Sequence, residues 1–394
     1  MYRIFFKLFF EIGVRNLNVF GTIAEYNPFH NGHKYHLDEM RTSGATHIVV
    51  AMSGNFVQRG ECAVYPKHYR AKAALENGAD LVIEIPSYFS VSTAETFAMA
   101  GITLLDAIGV NTLSFGSECG DIDKIKKIAE KVSTDDFEKI LSEKLSCGRT
   151  YAASFEEALR EISEDLADII KKPNNILGVE YVKAINKINS KIIPTTIKRA
   201  FVEHDDETVK DDFISASQLR QLIKNAEDVV KFMPSSINTQ PRFIEQFEDM
   251  ILYKLRTMSV EDISRLPDVS EGLENRIYSA IKDSRSLQEL FDNIKSKRYT
   301  HARIRRIIMS AFLGFEKNMF SKPEYIRVLG FNEKGREILR AARNTAKLPV
   351  IMRYSDVTDD IRGLFDIESR CTDIYSLATG DVCSKEMTDN IVIL

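Results

Sequence analysis

The chain has 394 residues, 44% of them hydrophobic and 28% charged, with a formal net charge of −4. That length predicts about two or three domains with ordinary buried cores, and the charge balance excludes both a disordered chain and a uniformly basic nucleic-acid coat. Five scattered cysteines (Cys62, Cys119, Cys147, Cys371, Cys383), none in a C-x-x-C, point to a reducing cytoplasm and exclude a disulfide framework or a Cys-based zinc site.

No apolar run is long enough to span a membrane. Residues 1–18 carry an apolar stretch, Ile4 to Phe10, broken by Lys7 and followed by no small-residue cleavage site, so no signal peptide is expected. They read as a short amphipathic helix or as residues added by an upstream start codon. The second reading is preferred, because the first core strand begins only at Val19.

Val19 to Ala24 is an apolar run that predicts a buried strand, and a helical pattern follows the loop Glu25 to Phe29. His47 to Ser53, Asp80 to Pro86 and Thr112 to Phe115 predict three further strands, alternating with helices over Lys67 to Asn77 and Thr93 to Ile108. Short apolar strands alternating with helices imply βαβ units and a parallel sheet covered on both faces. Ile122 to Leu145, Thr150 to Ile170 and Ile176 to Ile188 predict helices, with a break at Pro173-Asn174-Asn175. Ile192 to Ile197 predicts a late strand, and Ile214 to Arg220 opens a helix with a serine N-cap.

The fold class expected is α/β. A Rossmann-like parallel-sheet domain is expected over 19–234, a helical domain over 235–320, and a small α/β region with a βαβ unit and a helical tail over 321–394.

The chemistry starts at His30-Asn31-Gly32-His33. The sequence places this motif between the first strand and the first helix, where unpaired N–H groups and the helix dipole favour phosphate. Two imidazoles there can hydrogen-bond to an α-phosphate and a leaving pyrophosphate, and Gly32 would let a nucleotide approach the backbone. An H-x-x-H pair can also be half a metal site, but no third ligand cluster with matching spacing is visible.

Ile214-Ser215-Ala216-Ser217-x-x-Arg220, a whole α/β domain later, resembles the second signature of the HIGH-type nucleotidyltransferase superfamily. In that superfamily a hydroxyl-rich helix start and an arginine hold the β- and γ-phosphates. The resemblance implies that role for Ser215, Ser217 and Arg220, with Ala216 standing where a hydroxyl is common. More narrowly, AEYNPFHNGH, MSGNFVQRGE, the K-x-x-R-A of Lys67 to Ala71, SFGSE, PNNILGVEY and TIKR resemble the bacterial tRNA(Met) cytidine acetate ligases. The resemblance covers Val19 to the early 220s closely and the helical half more loosely.

It implies that ATP and acetate form acetyl-adenylate and pyrophosphate. The acetyl group then passes to N4 of the wobble cytidine of elongator tRNA(Met), giving N4-acetylcytidine. His30 and His33 are the implied catalytic residues. The implied ATP contacts are Ile23, Ala24, Glu25, Tyr26, Asn27, Pro28, Phe29, His30, Asn31, Gly32, His33, Lys34, Tyr35 and His36, with Gly116, Asn175 and Arg199. Mg²⁺ is expected with the phosphates, which usually supply several of its ligands, and no protein ligand for it is identified.

Asn175 reads equally well as a contact to adenine or ribose and as a helix N-cap. Lys67 and Arg70 read as possible surface charges. Ser53-Gly54-Asn55 and Gln58-Arg59-Gly60 are candidates for the acetate or cytosine pocket. Lys295 to Arg306 holds six Lys or Arg with Tyr299 and His301 interleaved, a pattern that suits RNA phosphates and a stacked base. The alternative function is a cofactor adenylyltransferase acting on a small phosphorylated acceptor. Such an enzyme is usually complete in one α/β domain.

Overall fold

In the computed structural model, which describes residues 17–147, 150–199, 212–236, 238–270 and 272–394, the apolar runs form one central sheet. Its strands are β1 (Val19–Ala24), β2 (His47–Ser53), β5 (Leu81–Ile85), β6 (Thr112–Ser117) and β7 (Ile193–Lys198) in the first half. A two-residue hairpin, β3 (Phe56–Val57) and β4 (Glu61–Cys62), lies in the loop after β2. The five long strands run parallel in the order β5-β2-β1-β6-β7. The chain winds outward in one direction from β1 to β5 and in the other from β6 to β7. The crevice between the carboxyl ends of β1 and β6 is therefore the topological switch point, where such sheets bind ligands.

Helices cover both faces. They are α1 (Asn31–Thr42), α2 (Lys67–Glu76), α3 (Ala94–Ile108), α4 (Ile122–Lys131), α5 (Asp135–Ser146), α6 (Tyr151–Ile162), α7 (Pro173–Lys187) and α8 (Ala216–Lys224). The expected run from Ile122 to Leu145 is two helices, because Thr134 starts the second by accepting the Phe137 N–H at 3.3 Å. The predicted break at Pro173 is instead the first turn of α7, where proline's missing N–H costs nothing.

The helical layer comprises α9 (Glu248–Arg256), α10 (Val260–Ser264), α11 (Leu273–Asp283), α12 (Leu287–Ile294) and α13 (His301–Leu313). It has its own apolar core, with Phe247, Ile251, Leu255, Leu290, Ile304 and Ile308 at its centre. The C-terminal segment follows with β8 (Ile326–Phe331), α14 (Glu333–Ala342), β9 (Val350–Ile351), α15 (Arg362–Ser376) and β10 (Val392–Ile393). β8, α14 and β9 form the expected βαβ unit, but β8 also pairs antiparallel with β5, so this segment extends the first sheet. α15 joins the two cores, with Leu364 and Phe365 in the sheet's core and Cys371 and Tyr375 in the helical one.

Two sequence expectations are corrected here. Lys67 and Arg70 are not surface charges, being 1% and 0% exposed. Lys67 Nζ bonds Glu84 at 2.7 Å and Glu386 at 2.5 Å and lies 3.9 Å from Glu368, while Arg327 bonds Glu386 at 3.1 Å. Burial pushes the Glu84 carboxyl well up. Burial alone would raise Glu386 too, but Lys67 and Arg327 hold it to about 2.

The second correction concerns the basic run. Tyr299 is buried and so offers no face for stacking a base. Arg303 and Arg306 tie down Asp268, through its carbonyl at 2.8 Å and its carboxylate at 2.9 Å. Lys295 and Lys297 remain exposed.

Candidate active site

The turn after β1 shapes the site. His30 is the N-cap of α1, with its Nδ1 accepting the Gly32 N–H at 3.0 Å, while His33 Nδ1 accepts the His30 N–H at 3.2 Å. The rings stack with centroids 3.7 Å apart. Because both Nδ1 atoms are acceptors, the hydrogen-bond network assigns each neutral ring's proton to Nε2. Burial, reinforced by Arg199 and Arg220, lowers His30 to about 3, and burial with His30 and Arg199 carries His33 well down. Without substrate the pair therefore provides N–H donors, and the positive charge comes from the arginines.

Gly32 serves this cap. A Cβ there would stand 2.8 Å from His30 Cε1. The sequence reading gave that space to a nucleotide, whereas in the structure His30's own ring occupies it.

The cavity beside the pair measures about 430 Å³ and adjoins a smaller one of about 100 Å³. Residues from the N-terminal ends of four helices line it: His30 before α1, Ala94 on α3, Pro173 and Asn174 on α7, and Ser215 to Ser217 at α8. Helix N-termini favour anions, and at α7 the N–H groups of Asn174 and Asn175 already hold one, the Glu118 carboxylate, at 3.4 and 3.0 Å.

Arg199 follows β7, its N–H held by the Ser117 carbonyl at 2.9 Å, and its stem lies against Gly116. On α8, Ser215 and Gln218 form a reciprocal capping box. Arg220 donates to the Asn27 carbonyl at 3.0 Å and to Ser217 Oγ at 3.3 Å. Arg59 reaches the same Ser217 Oγ at 3.4 Å.

Most predicted residues meet here. Ile23, Ala24, Glu25, Tyr26, Asn27, His30, His33, His36, Gly116, Arg199, Ser215 and Ser217 line the larger cavity, and Gly32 and Tyr35 line the smaller. Others support it from outside. Phe29 is core, edge-on to Tyr26 at 4.8 Å. Asn31 donates to the carbonyls of Asp212 and Lys231 at 2.9 and 2.8 Å, and Lys34 pairs with Asp38 at 2.7 Å. Pro28 is not among the lining residues, and Arg220 acts through Ser217 and Asn27.

Asn175 is 2% exposed and lies behind the wall. Its Oδ1 accepts the N–H groups of Glu118 and Cys119 at 2.9 and 3.1 Å, and its Nδ2 donates to Ile169 at 2.8 Å. That side chain braces the loop after β6. The sequence reading missed the apolar wall of Phe97, Phe115, Leu177 and Tyr181. Nothing local marks these residues, since each is an ordinary core type on its own helix or strand.

The helical layer is fastened to this site through the QRGE loop. Gly60, at φ +72°, lies so close to α13 that a Cβ would stand 2.5 Å from the Arg305 carbonyl carbon and Arg306 N. Glu61 bonds Arg305 at 2.5 Å with one oxygen and faces Arg220 at 4.0 Å with the other.

Residues 17–390 match the family model described as HIGH Nucleotidyl Transferase. The chain is 40% identical over 385 residues to the tRNA(Met) cytidine acetate ligase of Thermoanaerobacter sp. (strain X514), spanning 92% of this chain and 96% of the relative. The chain belongs to the tRNA(Met) cytidine acetate ligase family. The Acetivibrio thermocellus acetate ligase is 37% identical across 96% of this chain and the whole of that protein.

Among solved structures, apo Thermotoga maritima TmcAL superposes on this acetate ligase fold with TM-score 0.91 at 33% identity, covering 96% of this chain and 99% of that one. The same protein bound with alpha-thio ATP gives TM-score 0.89. The α/β architecture expected from the sequence is therefore the family's own.

Proposed function

We propose that this chain activates acetate with ATP and acetylates N4 of the wobble cytidine of elongator tRNA(Met). The observation that carries the reading is the cavity lined by the N-terminal ends of four helices and by Arg59 and Arg199, in a chain that superposes over nearly its full length on an alpha-thio-ATP-bound relative. In this reading the triphosphate lies among those N-termini, with Arg199 and the Ser217–Arg220 pair supplying positive charge. An acetate oxygen attacks the α-phosphorus and pyrophosphate leaves.

The Nε2–H groups of His30 and His33 donate to the phosphate oxygens as charge builds up. These donors are in place before reaction, which is where such a site gains most. The acetyl group then passes to the tRNA cytosine, which must be splayed from its stack to expose N4.

Glu25 is the one carboxylate among the described residues lining the cavity. Arg59 and Arg220 face it, so these side chains do not form a protein cage for Mg²⁺. In this proposal a magnesium ion rides on the ATP phosphates. Lys295 and Lys297 are the proposed tRNA phosphate contacts of the helical layer. Among the described residues no helix is long and apolar enough to cross a membrane, and a cytoplasmic location fits a tRNA substrate.

The test is transfer of radiolabelled acetate to acid-precipitable tRNA in the presence of ATP. Label in elongator tRNA(Met) that disappears with His33→Ala is expected. Pyrophosphate release that responds only to a small phosphorylated acceptor would replace the reading with a cofactor adenylyltransferase. That alternative gives no use to a helical layer fastened to the site through Gly60 and Glu61.

A further inference from the structure

Acyl transfer to an amine leaves a proton that must go somewhere, and the cavity offers few acceptors. His30 and His33 receive backbone N–H groups on Nδ1 and carry their protons on Nε2. His36 Nε2 is engaged with Ser114 Oγ at 3.0 Å. Tyr26 and Tyr181 are buried phenols whose ionisation burial opposes. Arg59 and Arg199 are cations.

Glu25 remains. It sits one residue beyond β1, where Arg70 holds its carbonyl at 2.6 Å. Its Oε1 accepts the Gln58 N–H at 3.0 Å. A carboxylate has about four lone-pair sites, so this one bond fixes the group and leaves accepting capacity. A phosphate would be repelled by such a group, so it is not a phosphate contact.

Resting on the acetyl-transfer reading above, we propose that the Glu25 carboxylate is the general base that takes the proton from the attacking cytosine N4 amine. The N4 lone pair forms a bond to the acetyl carbonyl carbon. The bond from that carbon to the phosphate oxygen breaks, AMP leaves with the electron pair, and one N4 proton passes to Glu25 and on to solvent.

The groups around the carboxylate tune it for this work. Burial raises its pKa above the usual carboxylate range, Glu61 pushes the same way, and Arg59, Arg220 and the Gln58 N–H pull it back. Tyr181 on α7 and the neutral histidine pair complete its surroundings. A carboxylate whose pKa is raised above its usual value is a stronger base and better suited to accepting a proton.

The experiment supplies chemically made acetyl-adenylate and elongator tRNA(Met) in single turnover, beside acetate-dependent ATP–pyrophosphate exchange for the first step. Glu25→Gln keeps the acceptor for the Gln58 N–H. It is expected to lower transfer at least 100-fold, the lower end of the usual general-base contribution of about 10²–10⁴, with exchange falling no more than tenfold. Wild-type transfer rises with pH through an inflection above the usual carboxylate value, Glu25→Gln is flat, and Glu25→Asp recovers part of the rate and the inflection.

Melting curves for both variants check folding. Transfer by Glu25→Gln within threefold of wild type overturns the proposal, as does exchange falling as far as transfer, which would place Glu25 in the adenylation step. A wild-type enzyme that exchanges pyrophosphate but acetylates no tRNA overturns the functional reading itself.

Discussion

His30 has two tasks, capping α1 through Nδ1 and offering Nε2–H to the cavity, and one pair of substitutions separates them. His30→Ala removes both. Loss of an N-cap side chain costs about 0.5–2 kcal/mol. For a chain of 394 residues, an unfolding entropy of about 2.1 cal/mol/K per residue turns this into a melting shift of about 1–2 °C. Loss of a preorganised donor to transition-state charge costs about 3–4 kcal/mol, or 10²–10³ in rate.

His30→Asn keeps the first task, because an asparagine oxygen is among the best acceptors at this position and can take the Gly32 N–H now held at 3.0 Å. The shorter side chain ends short of the ring's Nε2 edge. The expected result is a melting temperature within about 1 °C of wild type, with acetate-dependent pyrophosphate exchange down about 100-fold. Because burial holds His30 to about 3 in the free enzyme, kcat/KM for ATP should show no inflection from this ring near pH 6.5. Near-wild-type exchange in His30→Asn would refute the reasoning, since the ring would then matter only as a cap.

Gly60→Ala forces a Cβ to 2.5 Å from the α13 backbone at φ +72°. It should cost about 1–3 kcal/mol and depress acetylation of tRNA, measured by denaturant melts and label transfer. Lys67→Met leaves Glu84 buried without its cation and Glu386 with Arg327 alone, and should cost about 3–5 kcal/mol at pH 7. Its pH dependence should also shift, because the raised Glu84 and the lowered Glu386 oppose one another in the wild type. In the wild type, Glu386 at about 2 gives stability that is present above its unfolded value and lost as pH falls toward 2. In the variant, Glu84 loses the lysine that restrains its already raised pKa, and its share of stability falls more steeply as pH rises.

His36 is lowered by burial, with Arg199 assisting, to about 4. The unfolded chain takes up that proton near pH 6.5, so stability should fall with acid from about 6.5 toward 4, by about 2 kcal/mol at pH 5. Urea melts of His36→Gln should lack this increment. Finally, Lys295→Glu with Lys297→Glu should weaken tRNA binding and flatten its salt dependence, whereas Arg306→Glu should first lower the melting temperature by breaking the Asp268 pair. Equal tRNA affinity for the double lysine variant at low salt would remove these lysines from the interface.

The parallel strands were readable because a strand covered on both faces is a continuous apolar run, as in His47 to Ser53. The histidine motif was readable because its position between strand and helix carries meaning beyond its letters. Other features depend on tertiary pairing that no local pattern encodes. Lys67 looks like a helix-surface lysine until Glu386 is placed beside it. The run from Lys295 to Arg306 looks like an RNA-binding stripe until Tyr299 turns inward and Asp268 receives two of its arginines. Phe97 and Tyr181 become pocket walls only when α3 and α7 pack side by side. Gly32 was expected to make room for a nucleotide, but the neighbour that excludes bulk there is the ring of His30.

The buried lysine also has a consequence for biosynthesis. Lys67 and Glu386 are 319 residues apart in sequence. A ribosome adding about 5–20 residues per second therefore makes the lysine about 15–60 s before this second partner, Glu84 having followed it after 17 residues. During that interval the emerging sheet lacks both the β8 edge and the carboxylate that neutralises its interior. The active-site loops held by Arg70, on the same helix, then remain on an unfinished scaffold. Emergence of Glu386 from the exit tunnel would thus complete the buried cluster beneath these loops. A nascent chain stalled before Glu386 should be open to proteolysis where the finished protein is resistant.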